Sequence, residues 1–218
     1  MSREVEISAG GRRLHGTLTL PAAARGVVLF AHGSGSSRHS PRNQRVAEAL
    51  VHAGLGTLLF DLLTPEEEAA EAYTRHLRFD IDLLAGRLFE ATAWLVRQED
   101  TRRLRAAYFG ASTGAAAALA AAARLGEQVG AVVSRGGRPD LAGPMLPRVS
   151  APTLLIVGGL DTQVLALNEQ ALAQLRCAKE LLIVPGASHL FEEPGTLDQV
   201  AALAADWFTR HLGEAAGA

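Results

Sequence analysis

Cysteine is nearly absent from this chain. Cys177 stands alone among 218 residues, which excludes an intrachain disulfide framework and fits a reducing compartment. Lysine is nearly absent too, Lys179 being the one lysine among 21 basic residues, a bias that a GC-rich genome explains without any physical requirement. Charge of one sign is also missing. A net charge of -2 gives no electrostatic reason to expect nucleic acid or an anionic membrane surface as partner. No run approaches the roughly 18 apolar residues of a membrane span, and the opening MSREVEISAGGRRLHG holds no apolar stretch of the signal-peptide kind. Zinc-ligand clusters and dinucleotide fingerprints are lacking, so no metal or organic cofactor is expected. These absences predict a soluble, cytoplasmic protein; a monomer and a homodimer are both left open by the sequence.

What is present is an ordinary globular composition, 48% hydrophobic and 20% charged, long enough to bury a sizeable core without staples. The chain opens with alternating segments, Glu4 to Ser8 and Arg13 to Leu20, around Gly10-Gly11, which predict a hairpin at a sheet edge. Short continuous apolar runs follow at 26–31, 57–60, 105–109, 130–133, 153–157 and 180–184. Such runs are the pattern of strands buried on both faces. Helical patterns lie between them at 41–52, 81–96, 113–125, 164–175 and 197–212. Alternation of this kind predicts right-handed crossovers and one α/β domain over 1–218: a mostly parallel sheet of about eight strands, helices on both faces, no large cap. Only residues 213–218 are expected to fray.

Gly110-Ala-Ser-Thr-Gly114 falls between the run ending at Phe109 and an alanine-rich helix. A G-x-S-x-G match in that setting predicts a tight strand-to-helix turn that lifts the Ser112 hydroxyl above the sheet. A helix N-terminus there adds unpaired N–H groups and a positive dipole end. The plainer alternative is a glycine-rich loop with a capping serine. A serine nucleophile needs a base, and among seven histidines His189 alone follows the final strand, in Pro185-Gly-Ala-Ser-His-Leu-Phe191. That loop belongs at the carboxyl edge of the sheet, with Ser112. Asp161, directly after the preceding apolar run, completes the order Ser, Asp, His and fits the role of orienting the imidazole. Asp140 and Asp61 are rival strand-end acids, the first placed to begin a helix and the second lying before the nucleophile. Oxyanion donors are expected from the N–H of Thr113 and from the loop His32-Gly-Ser-Gly-Ser-Ser37, with Ser34 in the donor position and His32 holding the loop.

The elbow, the HGSGSS loop, Asp161 and the His189 loop together resemble the dienelactone-hydrolase-like branch of the α/β-hydrolase superfamily, over nearly the whole chain and in the expected order. The resemblance implies a cofactor-free hydrolase acting through an acyl-enzyme. Dienelactone hydrolases proper carry cysteine at the elbow. Ser112 therefore points to a serine carboxylesterase for esters or lactones, with acyl transfer or peroxyacid formation on the same triad, or a non-catalytic binding protein, as alternatives. The longest connection, residues 62–80, borders the site and offers Leu77 and Phe79 for a substrate pocket, while Glu66-Glu67-Glu68 reads as a solvated helix start. Arg42, in the cluster 38–45, and Arg135, in Arg135-Gly-Gly-Arg138, are candidates for gripping a substrate carboxylate. Phe191 completes the substrate-binding set.

Overall fold

The computed structural model describes residues 1–74 and 76–213. The fraying expected of 213–218 falls, beyond Gly213, outside them. Eight strands form one sheet: β1 (Ser2–Ala9), β2 (Arg12–Thr19), β3 (Val27–Ala31), β4 (Gly56–Phe60), β5 (Ala106–Ala111), β6 (Val129–Arg135), β7 (Thr153–Gly158) and β8 (Lys179–Val184). Their order is β1-β2-β4-β3-β5-β6-β7-β8. The hairpin β1–β2 joins β4 antiparallel, and every pair from β4 through β8 is parallel. Parallel neighbours need crossovers, and the helices supply them: α1 (Pro41–His52), α2 (Pro65–Thr74), α3 (Ile81–Arg97), α4 (Thr113–Leu125), α5 (Thr162–Gln174) and α6 (Thr196–Leu212).

Two apolar layers result. Residues of α3 and α4 pack with one face of the sheet, and residues of α1 and α6 with the other. Strands β3 to β7 are buried along their whole length, as the apolar runs require. The last run departs from its expectation. In β8 only Val184 is buried, because the strand closes the sheet with β7 on one side alone. Helix ends follow local chemistry. Ser40 caps α1 by accepting the Asn43 N–H, with Pro41 opening the helix, and Asp80 caps α3 by accepting the Leu83 N–H. The acidic segment does start a helix: Glu66, Glu67 and Glu68 fill the first turn of α2.

Helix α4 runs through the middle of the structure with every residue from Thr113 to Ala123 buried. Its alanines permit a close approach that larger side chains would prevent. At Gly114 a methyl group would stand 2.1 Å from the Ala31 carbonyl oxygen, and at Gly110 one would stand 2.4 Å from the Ala115 Cα. These two positions fix where α4 begins relative to β3 and β5, and so where Ser112 stands.

Candidate active site

Ser112 links β5 to α4 at φ 51° and ψ -122°. For a residue bearing a Cβ this is a strained conformation, of the kind retained where the surroundings over-determine it. The surroundings do so here. The Ser112 N–H donates to the Arg135 carbonyl, and the Ser112 carbonyl accepts from the N–H groups of Ala115 and Arg138. With its backbone held on both sides, the Ser112 side chain makes no capping bond to α4.

His189 and Asp161 are brought together as the sequence predicts. The His189 Nδ1 and Asp161 Oδ2 lie 2.6 Å apart, with the carboxylate largely enclosed and the imidazole half-exposed. Asp161 sits after β7, at the start of α5, and His189 sits in the β8–α6 loop. Two hydrogen bonds tie these segments, from the Leu160 N–H to the Ala187 carbonyl and from the Gly159 N–H to the Val184 carbonyl. Ser112 meets this pair across the end of β6: Arg135 accepts its N–H, and a methyl group at the next residue, Gly136, would lie 3.1 Å from the His189 carbonyl oxygen and 3.6 Å from its Cε1. Among the described residues no hydrogen bond joins the Ser112 hydroxyl to His189. Such bonds are often long before substrate binds.

The rival acids have other work. Asp140 takes a two-pronged bond from Arg138, and Asp61 accepts both the N–H and the guanidinium of Arg38. His32 is 6% exposed, accepts the Leu62 N–H at its Nε2 (3.0 Å), and lies 3.1 Å from the Gly33 carbonyl at its Nδ1. Burial pushes its pKa down, which keeps the ring neutral and able to accept. It therefore holds the β3–α1 loop, as expected.

Ser34, expected as the second oxyanion donor, departs from that expectation, because its N–H is engaged within the protein. The Ser34 N–H donates to the Thr113 hydroxyl oxygen at 3.0 Å. Ser34, Thr113, His32, Leu62, Glu68 and Arg78 border a small cavity with room for about one water, 10 Å³. Phe79 is absent from that lining and half-exposed on a 3-10 turn, while Leu77 packs against the core. The segment 65–79 is fastened by Glu71. Its fully enclosed carboxylate accepts the N–H groups of Leu77 and Arg78, the Arg78 guanidinium and the Thr74 hydroxyl.

Arg135 gives the least expected environment. It is 7% exposed, its guanidinium lies 5.9 Å from the centre of the Phe191 ring, and its Nε and Nη1 have no acceptor among the described residues. Burial first, and the neighbouring Arg42 charge second, push its pKa down to about 10. Phe191 itself holds a positive φ of 56°. The Arg42 Nη1 lies 3.5 Å from the exposed Glu192 carboxylate, and the Arg42 Nε is buried without an acceptor among the described residues.

The dienelactone hydrolase family model matches residues 14–213 of the chain. Two Mycobacterium tuberculosis proteins, each named as a proposed phosphoribosyl transferase, are 61% identical to it over 209 residues, which is 96% of this chain and 46% of theirs. The chain thus spans about half the length of these curated relatives. The crystal structure of dienelactone hydrolase from Anabaena variabilis shares 61% identity and superposes with a TM-score of 0.95 over 97% of this chain and 98% of that one. Est1E from Butyrivibrio proteoclasticus, at 13% identity, superposes with a TM-score of 0.81 over 97% and 99%. That second likeness speaks for the fold alone.

Proposed function

Because this chain belongs to the dienelactone hydrolase family, a family of hydrolases on the α/β-hydrolase fold, we propose that it is a serine hydrolase cleaving carboxylic esters or lactones of small molecules. The observation that carries this reading is the 2.6 Å bond between Asp161 and His189, beside a strained serine on the same sheet edge. Ser112 attacks the carbonyl carbon while His189 takes the hydroxyl proton. Asp161 holds the imidazole in the tautomer that leaves Nε2 free to accept, and stabilises the imidazolium that forms. The negative oxygen is stabilised by the Thr113 N–H, at the positive end of α4. His189 then protonates the leaving alkoxide, or the ring-opened oxygen of a lactone. Water, deprotonated by the same histidine, releases the acid and restores Ser112.

The serine supports esters and lactones at large over dienelactone in particular. Acyl transfer to an acceptor other than water uses the same residues and separates from hydrolysis by product analysis with added alcohols. The transferase named for the M. tuberculosis relatives is assigned, in this proposal, to the half of those proteins that the chain does not match.

The test is release of p-nitrophenol from short-chain esters by the wild type and by Ser112→Ala. The expected result is turnover in the wild type and a loss of about a thousandfold or more in the variant, the scale seen when a triad nucleophile is removed. Equal rates in both proteins would remove Ser112 from the mechanism.

A further inference from the structure

A buried cation that no carboxylate pairs among the described residues stands within one residue of both loops of the active site. Arg135 lends its carbonyl to Ser112, and its neighbour Gly136 abuts His189. Its side chain alternates with Val132 and Ser134 and shares the face of Ala131 and Val133, which pack in the α1–α6 layer. There it lies against Phe191, with Nε and Nη1 buried and unbonded among the described residues. Arg42, in the first turn of the 12-residue helix α1, reaches Glu192, the residue next to the Phe191 that Arg135 lies against. Its Nε is likewise buried and unbonded, and its carboxylate partner, Glu192, is exposed at 3.5 Å, a distance at which water screens the pair. The two guanidiniums, from different elements, thus meet consecutive residues of one loop, with the positive end of the α1 dipole beside Arg42. Arg135 is desolvated while Arg42 is a third exposed, and a desolvated cation is unfavourable unless an anion joins it. The contrast with Arg138 is instructive, since that residue spends its guanidinium on Asp140.

We propose that Arg135 and Arg42 form a subsite for a phosphate group carried by the substrate, so that the ester or lactone hydrolysed at Ser112 is a phosphorylated one. This rests on the hydrolase reading above. A planar carboxylate is satisfied by one guanidinium fork, whereas a tetrahedral phosphate offers oxygens in several directions and fits donors arriving from α1 and β6 separately. The Phe191 ring, 5.9 Å from the Arg135 guanidinium, ties the subsite to the His189 loop.

The experiment has two readouts on the full chain. The first is acetate release from an acetyl ester of glycerol phosphate and from the matching acetyl ester of glycerol. The wild type is expected to favour the phosphorylated ester in kcat/KM by at least tenfold, and Arg135→Met to bring the ratio close to one, with Arg135→Lys between them. The second is calorimetric binding of inorganic phosphate, with succinate at matched ionic strength as the comparison. Phosphate is expected to bind the wild type more tightly than succinate does, and at least tenfold more weakly to Arg135→Met. If Arg135→Met fails to fold, Arg42→Met, at a half-exposed position of α1, takes its place with the same expectation. A wild type that binds phosphate yet cleaves neither ester keeps the subsite and removes the hydrolase reading. Tighter binding of succinate, no binding of phosphate, or unchanged phosphate binding in a folded variant would overturn the subsite.

Discussion

Ser112 and Thr113 divide the work at the elbow between a strained backbone and a side chain that ties down its neighbour. Ser112 keeps its positive φ because its N–H and carbonyl are both engaged by β6 and the segment after it. The Thr113 hydroxyl accepts the Ser34 N–H, so the elbow and the β3–α1 loop are coupled through one oxygen. The hydroxyl proton of Thr113 stays available for donation. Thr113→Val is isosteric, keeps the backbone N–H of residue 113 and removes this tether. Its expected effect is a fall in kcat of about tenfold, near 1.4 kcal/mol, the upper end for one neutral hydrogen bond. Thr113→Ser, which retains the oxygen, should remain near the wild type. Steady-state kinetics on a p-nitrophenyl ester decides it, and a Thr113→Val enzyme with unaltered kcat would show that the tether is irrelevant to turnover. Arg135 shows what residue types alone leave open: Arg135 and Arg138 read identically in the sequence, and only their neighbours separate the free cation from the paired one.

At the scale of elements, helix α4 carries the argument. Alanine has the highest helix propensity and the smallest side chain that still packs. A run of it gives a helix able to sit close beneath β3 and β5. The closest approach is at Gly114, where an added methyl would meet the Ala31 carbonyl at 2.1 Å. Backbone cannot yield there as a flexible side-chain tip can. Gly114→Ala is expected to cost about 3 kcal/mol of stability, the upper part of the usual overpacking range, and to displace Ser112. Denaturant unfolding followed by circular dichroism measures the first effect and the esterase assay the second. A variant as stable as the wild type would mean that α4 slides to accommodate the methyl. By comparison Gly86, on α3, has nothing within 4 Å of an added methyl, and serves as the control position.

Across the whole molecule, stability depends on pH through carboxyls outside the triad. Glu71 joins α2 to the turn before α3. Burial by itself would raise its carboxyl. The Arg78 guanidinium, the N–H groups of Leu77 and Arg78 and the Thr74 hydroxyl outweigh burial and hold it at about 2, against an ordinary 4.5. A carboxyl depressed on folding stabilises the native state fully above its unfolded value, and that contribution is lost as pH falls from about 4.5 toward 2. Glu68, raised by burial, works in the opposite sense, so the Glu71 share is read from a variant. Glu71→Gln is expected to be less stable than the wild type at neutral pH, with a difference that narrows on acidification below about pH 4.5. Thermal unfolding at a series of pH values tests this, and a constant difference across the series would dismiss the linkage.

Local patterns along the chain were enough for the strand-and-helix alternation, the elbow, the order Ser112, Asp161, His189 and the loop role of His32. All of these rest on local rules: apolar runs for buried strands, 3.6-residue periodicity for helices, glycines where backbone must pass close. The exposed character of β8 was not legible, because a run of apolar residues does not say whether a strand lies inside a sheet or at its edge. Nor was the contact between Ser34 and Thr113, which joins residues 79 positions apart. Packing between elements settled which arginine near the site is paired and which is buried without a partner among the described residues. Charge neutralisation depends on distances between elements, and no local pattern along a chain encodes those.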